Sequence, residues 1–69
     1  MRKFAERLKE LRTEKDLSDK ALSEQVKIGS SSISRWENGQ SDIRSDQLII
    51  LAKFFDVSTD YLLGLTDSP

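Results

Sequence analysis

Residues 30–35, Ser-Ser-Ser-Ile-Ser-Arg, put four hydroxyls and one guanidinium within two turns of a helix. A hydroxyl both donates and accepts, and a guanidinium donates through a planar fork. Such a set can hydrogen-bond the polar edges of a ligand, but it cannot run acyl or phosphoryl transfer unaided. The chain has no histidine and no cysteine. No imidazole can activate a serine, and no thiolate can attack or hold a soft metal. Asp56 and Asp60 lie four apart near a helix start, where carboxylates favour the dipole. No phosphate loop or metal-spaced cluster is present. The serines and the arginine therefore read as recognition chemistry, with no enzyme activity, cofactor or metal expected.

These side chains must be presented by the segment 17–39, LSDKALSEQVKIGSSSISRWENG. Ser18 suits an N-cap, and Asp19 favours the first turn that follows. Ala21, Leu22 and Val26 form the buried stripe of a helix, and Ile28 plugs the core from the turn. Gly29 and Ser30 open the next helix, with Ile33 and Trp36 on one side. Gly39 ends it in the position after the cap. Serines are weak helix formers, so this helix depends on packing. Two short helices, a tight turn and a glycine stop are the layout of a helix-turn-helix, whose second helix is offered to the DNA major groove.

The rest of the chain supports that pair. With 69 residues and 36% hydrophobic content there is room for one small domain with a shared core. Phe4, Ala5, Leu8 and Leu11 mark an amphipathic helix from about Arg2 to Lys15. A membrane-surface reading of that helix is weakened by its narrow apolar stripe. After the polar loop Gln40–Arg44, Ser45 is expected to cap a fourth helix with Leu48, Leu51, Ala52 and Phe55 inward. Val57 follows as a core plug. Ser58 caps a last helix with Tyr61, Leu62 and Leu65 inward, and Gly64 stops it. The predicted fold is an all-α, compact five-helix bundle. Residues 1–65 form the domain, 18–38 its helix-turn-helix, and 66–69 a frayed tail or the start of a linker. No apolar run approaches a membrane span and no signal peptide opens the chain, so the expected compartment is the cytoplasm.

Net charge is −1, unevenly spread. Residues 1–15 carry six basic and three acidic side chains, 16–39 three and four, and 40–69 two and five. A chain can bind a polyanion through one basic face while the opposite face is acidic. The field is weak, so non-specific affinity should be modest.

ERLKELR (6–12), the Leu17–Ser18 entry, ISRWENG (33–39), LAKFFDVS (51–58) and DYLLGL (60–65) together resemble the lambda-repressor-like helix-turn-helix family, the XRE or Cro type. The resemblance covers about Phe4 to Leu65. It implies a transcriptional regulator of phage or mobile-element type, with a lean to repressor, that binds double-stranded operator DNA as a homodimer. Carried onto this chain, base contacts fall to Ser30, Ser31, Ser34 and Arg35, with Ser32 as packing. Arg35 can donate to guanine or to a phosphate. Phosphate contacts fall to Ser18, Asp19, Lys20, Asn38, Gln40 and Arg44. Asn38 and Gln40 are also ordinary residues around a helix-stopping glycine. Arg12 and Glu37 match a pair that holds the recognition helix, worth about 3–5 kcal/mol if partly buried and under about 1 kcal/mol if exposed. Trp36 supports the same helix, either wholly in the core or with its indole N–H turned to a phosphate.

This chain departs from the family pattern at four places. Asp19 stands where glutamine is common, so it either repels a phosphate or turns away and leaves the contact to Lys20. Lys27 stands where glycine is common, at a strain of about 1–2 kcal/mol if φ is positive. The loop after Gly39 lacks its usual basic residue and proline. The recognition helix opens on Ser30, without an early basic residue or glutamine. The rival to DNA binding is a protein-binding module of antitoxin or antirepressor type. Its exposed apolar residues, and equally a dimer contact, would be Leu63, Leu65 and one of Phe54 or Phe55. A further C-terminal domain or protein partner is compatible with either reading.

Overall fold

The computed structural model describes all 69 residues. Five helices follow one another: α1 (Arg2–Glu14), α2 (Asp19–Val26), α3 (Ser30–Glu37), α4 (Ser45–Phe55) and α5 (Thr59–Leu63), with no strand. α1 packs on α3 and α5, α2 on α3 and α4, and α4 on α5. Every helix thus shares one core, centred on the fully buried Phe4, Leu8, Leu22, Ile33, Leu51 and Leu62. No polar residue enters it. Burial of a 3.6-period stripe from each helix is what holds segments too short to be stable alone.

Local chemistry sets most of the boundaries. Ser18 Oγ accepts from Ala21 N at 3.0 Å, and Ser58 Oγ accepts from Tyr61 N at 3.0 Å. Each satisfies one of the orphan amides of a helix start. α3 ends in a Schellman motif, with Gln40 N donating to Arg35 O at 2.8 Å and Gly39 N to Trp36 O at 3.1 Å around Gly39 at φ 70°. α5 stops at Gly64, φ 80°, and a Cβ there would collide with the Cβ of Lys3 on α1. Lys27 closes α2 at φ 61°, so the strain expected of a non-glycine residue is present in the α2–α3 turn.

Several details depart from expectation. Ser45 is the first residue of α4, not its cap; Arg44 holds the cap position, and its N–H donates to Gln47 Oε1 at 3.4 Å. Leu65 is not inward: α5 ends at Leu63, the chain turns at Gly64, and Leu65 is left 73% exposed. Tyr61 is half-buried, with the Arg7 guanidinium 4.0 Å from its ring centre. Leu63, expected to be exposed, is half-buried against the core, as is Phe54. Ala21 and Leu11 also sit at the core's margin instead of within it. Residues 66–69 lie against α1 and α5: Arg7 donates to Thr66 O at 3.2 Å and pairs with Asp67 at 3.0 Å, and Ser58 N donates to Pro69 O at 2.9 Å.

Candidate nucleic-acid interface

α3 turns Ile33 and Trp36 inward, with Trp36 buried and its ring edge-on to Phe4 at 6.2 Å between centroids. At 3.6 residues per turn, Ser31, Ser34, Arg35 and Asn38 then share about a third of the helix circumference, opposite the core. Ser30, Ser31, Arg35 and Asn38 are exposed and Ser34 is half-exposed; Ser32 is half-buried toward the side. Arg35 forms no ion pair, so its fork is free to donate outward. Burial of Trp36 assigns its ring to holding α3.

The helix is clamped from behind. Arg12, on α1, donates through Nε to Glu37 Oε2 at 2.7 Å and through Nη2 to Glu37 Oε1 at 3.1 Å. Its Nη1 donates to Leu17 O at 2.7 Å in the α1–α2 turn. The side chains of Arg12 and Glu37 are 14% and 8% exposed, so the pair belongs to the partly buried kind. The Glu37 hydrogen bonds raise the Arg12 pKa above its ordinary value against the desolvation that lowers it, and the charges of Glu37 and Asp19 add to the rise. A raised pKa means the contribution is complete at all pH below the ordinary arginine value and is lost only above it. Arg12 itself therefore adds no pH dependence in the working range.

The first turn of α2 lies beside this clamp. Ser18 and Lys20 are exposed, and the Ser18 hydroxyl keeps its hydrogen for an outside acceptor while its oxygen caps the helix. Asp19 does not face outward with them. Its Oδ1 lies 2.9 Å from Arg12 Nε, buried and without a hydrogen-bond donor. Its side chain is turned to the clamp but stays 32% exposed, and Lys20 is the fully outward-facing charge of that turn.

Asn38 and Gln40 flank the helix-stopping Gly39 with exposed side chains. Their amide groups remain available while their backbone atoms complete the stop. Arg44 is exposed and lies 3.5 Å from Asp46. Of the six basic residues in 1–15, Arg7 and Arg12 point inward, which leaves Arg2, Lys3, Lys9 and Lys15 at the surface. The hollow between the start of α1 and the end of α3, about 410 Å³ and bordered by Arg2, Glu6, Lys9 and Asn38, is open and polar. No cluster of three potential metal ligands occurs. No helix is long and apolar enough to cross a membrane.

Two exposed residues were not anticipated. Ile49 and Ile50 of α4 are 47% and 42% exposed. The signal was present: once Leu48, Leu51, Ala52 and Phe55 fill the inner stripe, both isoleucines fall outside it.

The chain is similar to known proteins along most of its length. Residues 8–62 match the family model described as helix-turn-helix. The chain is 41% identical over 66 residues to the uncharacterised HTH-type transcriptional regulator YobD of Bacillus subtilis (strain 168), covering 96% of this chain and 59% of that one. It is 39% identical over 61 residues to the HTH-type transcriptional activator BcrR of Enterococcus faecalis, covering 88% of this chain and 30% of that one. It is also 39% identical over 61 residues to the HTH-type transcriptional regulator ImmR of Bacillus subtilis (strain 168), covering 88% and 48%. The chain thus spans between 30% and 59% of the length of these relatives. The crystal structure of the restriction-modification controller protein C.AhdI from Aeromonas hydrophila superposes with a TM-score of 0.80 at 33% identity, covering 88% of this chain and 92% of that one. The chain belongs to the lambda-repressor-like helix-turn-helix family.

Proposed function

We propose that this chain binds double-stranded DNA with α3 in the major groove and regulates transcription from the site it reads. Base edges are read by Ser30, Ser31, Ser34 and Arg35. Phosphates are held by Ser18, Lys20, Asn38, Gln40 and Arg44. The observation that carries this reading is the two-sided use of α3: an exposed polar face with an unpaired Arg35, backed by the Arg12–Glu37 clamp that fixes its pose. The mode is repression, by a protein that blocks its operator as a homodimer. A two-fold dimer would set the two recognition helices about 34–36 Å apart. Exposed Leu65, Ile49 and Ile50 are apolar residues available for self-association.

The test is a fluorescence-anisotropy titration with the DNA upstream of its own gene, against scrambled DNA, at 50 and 200 mM salt. Upstream DNA should bind at least about a thousandfold tighter than scrambled. Arg35→Ala should weaken the specific complex by about 1–3 kcal/mol. Equal, weak binding of both DNAs overturns the reading. The exposure of Leu65 favours one rival, a protein-binding module. Under that rival Leu65→Glu abolishes function in cells while Arg35→Ala leaves it intact.

A further inference from the structure

Asp19 Oδ1 is the one buried side-chain oxygen or nitrogen of the molecule without a hydrogen-bond partner, and it lies against the clamp that holds α3. The single hydrogen on Arg12 Nε is directed to Glu37 at 2.7 Å. The other two donor nitrogens go to Glu37 Oε1 and Leu17 O. Asp19 Oδ1, at 2.9 Å from the same Nε, therefore gains a charge contact but no hydrogen bond. Two carboxylates share one guanidinium, so the three side chains carry a formal net charge of −1. That charge stands in the first turn of α2, between exposed Ser18 and Lys20, and a single guanidinium away from the end of α3. The Asp19 side chain is 32% exposed, so its field reaches solvent.

We infer that Asp19 is a built-in brake on DNA binding: its unneutralised carboxylate beside Arg12 and Glu37 opposes the approach of phosphates to the α2–α3 face. Asp19 touches no DNA. It acts on affinity through charge, whereas Glu37 acts through position. The two carboxylates on Arg12 thus have separate uses, one anchoring α3 and the other weakening the complex. The inference rests on the DNA-binding reading above.

The brake is independent of base sequence, so the probe is a fluorescein-labelled mixed-sequence 30-base-pair duplex, titrated with the full chain at 50 and 300 mM salt. Asp19→Asn keeps the shape and removes the charge. Asp19→Ser, still suited to a first helical turn, guards against an effect peculiar to the amide. Glu24→Gln, on the exposed side of the same helix, makes the same change in net charge elsewhere. Both Asp19 variants should bind three- to tenfold tighter than wild type at 50 mM salt, with the gain shrinking at 300 mM as screening shortens the reach of the charge. Glu24→Gln should gain less than twofold. A purely structural role for Asp19 would instead move the melting temperature and leave the salt dependence alone. Unchanged or weaker binding by Asp19→Asn and Asp19→Ser, or an equal gain from Glu24→Gln, overturns the brake while DNA binding stands. No binding by wild type or by any variant at 50 mM salt overturns both readings.

Discussion

Arg7 and Arg12 leave the same helix five residues apart, both turn inward, and they fasten opposite sides of the molecule by different means. Arg12 works with charge: two carboxylates and one carbonyl, drawn from α2, α3 and the turn between α1 and α2. Arg7 works mainly with neutral acceptors. It donates to Tyr61 O at 3.1 Å and Thr66 O at 3.2 Å, stacks on the Tyr61 ring, and meets one carboxylate, that of fully exposed Asp67. The Arg12 side is over-supplied with negative charge, and the Arg7 side is close to neutral. Buried charge is thus concentrated next to α3, while the α5 edge is fastened in a way that salt barely touches.

The largest expected effect comes from breaking the charged side. Arg12→Met leaves Glu37 and Asp19 facing each other, and removing one partner of a partly buried pair costs about 3–5 kcal/mol. For a domain this small that is a fall in Tm of more than about 12 °C, measured by circular dichroism. Duplex binding should fall further than the loss of folded protein explains, because α3 loses its anchor.

Breaking the neutral side should cost less and leave recognition alone. Arg7→Met forfeits two charge-assisted hydrogen bonds to carbonyls and the ring contact but strands no buried charge, about 3 kcal/mol together. The Tm should fall, the Ser58 amide should exchange faster, and duplex affinity measured well below Tm should match wild type. Asp67→Asn should leave Tm unchanged, since its carboxylate is fully in water. A loss of affinity in Arg7→Met would break the comparison by coupling the α5 edge to the DNA face.

The smallest effect sharpens it at the backbone. Each side ends a helix in the left-handed conformation, Lys27 after α2 and Gly64 after α5. Glycine adopts that conformation freely, and lysine is strained there. Lys27→Gly should raise stability by about 0.5–1 kcal/mol, read as a Tm gain of a few degrees, even though it makes no new contact.

What could be read from the residues alone follows the range of the interaction. Ser18, Ser58, Gly39 and Gly64 declare helix ends because each partner lies within a few residues. The inward stripes of α3 and α4, and Leu22 and Val26 of α2, follow from 3.6-residue spacing. Ser45 misled because the serine, a strong cap type, sits one residue inside while Gln47 reaches back to Arg44 N. Leu65 misled because its periodicity runs on past Gly64 although the helix does not. The site is legible as a face but not as a network. Arg35 and its serines could be placed from spacing, whereas the inward turn of Asp19 depends on where α1 delivers Arg12. The anchorage of Arg7 was invisible for the same reason, as its partners lie 54 to 60 residues away.

The two left-handed glycines differ in what surrounds them. Gly39 has open space where a side chain would grow, and its positive φ is one that asparagine or aspartate tolerates. Gly64 has the same backbone constraint, but its missing Cβ is the gap into which Lys3 fits. Positions 3 and 64 are therefore genetically coupled across almost the whole chain: residue 64 can acquire a side chain only in a background where residue 3 has lost its own, while residue 39 can vary alone.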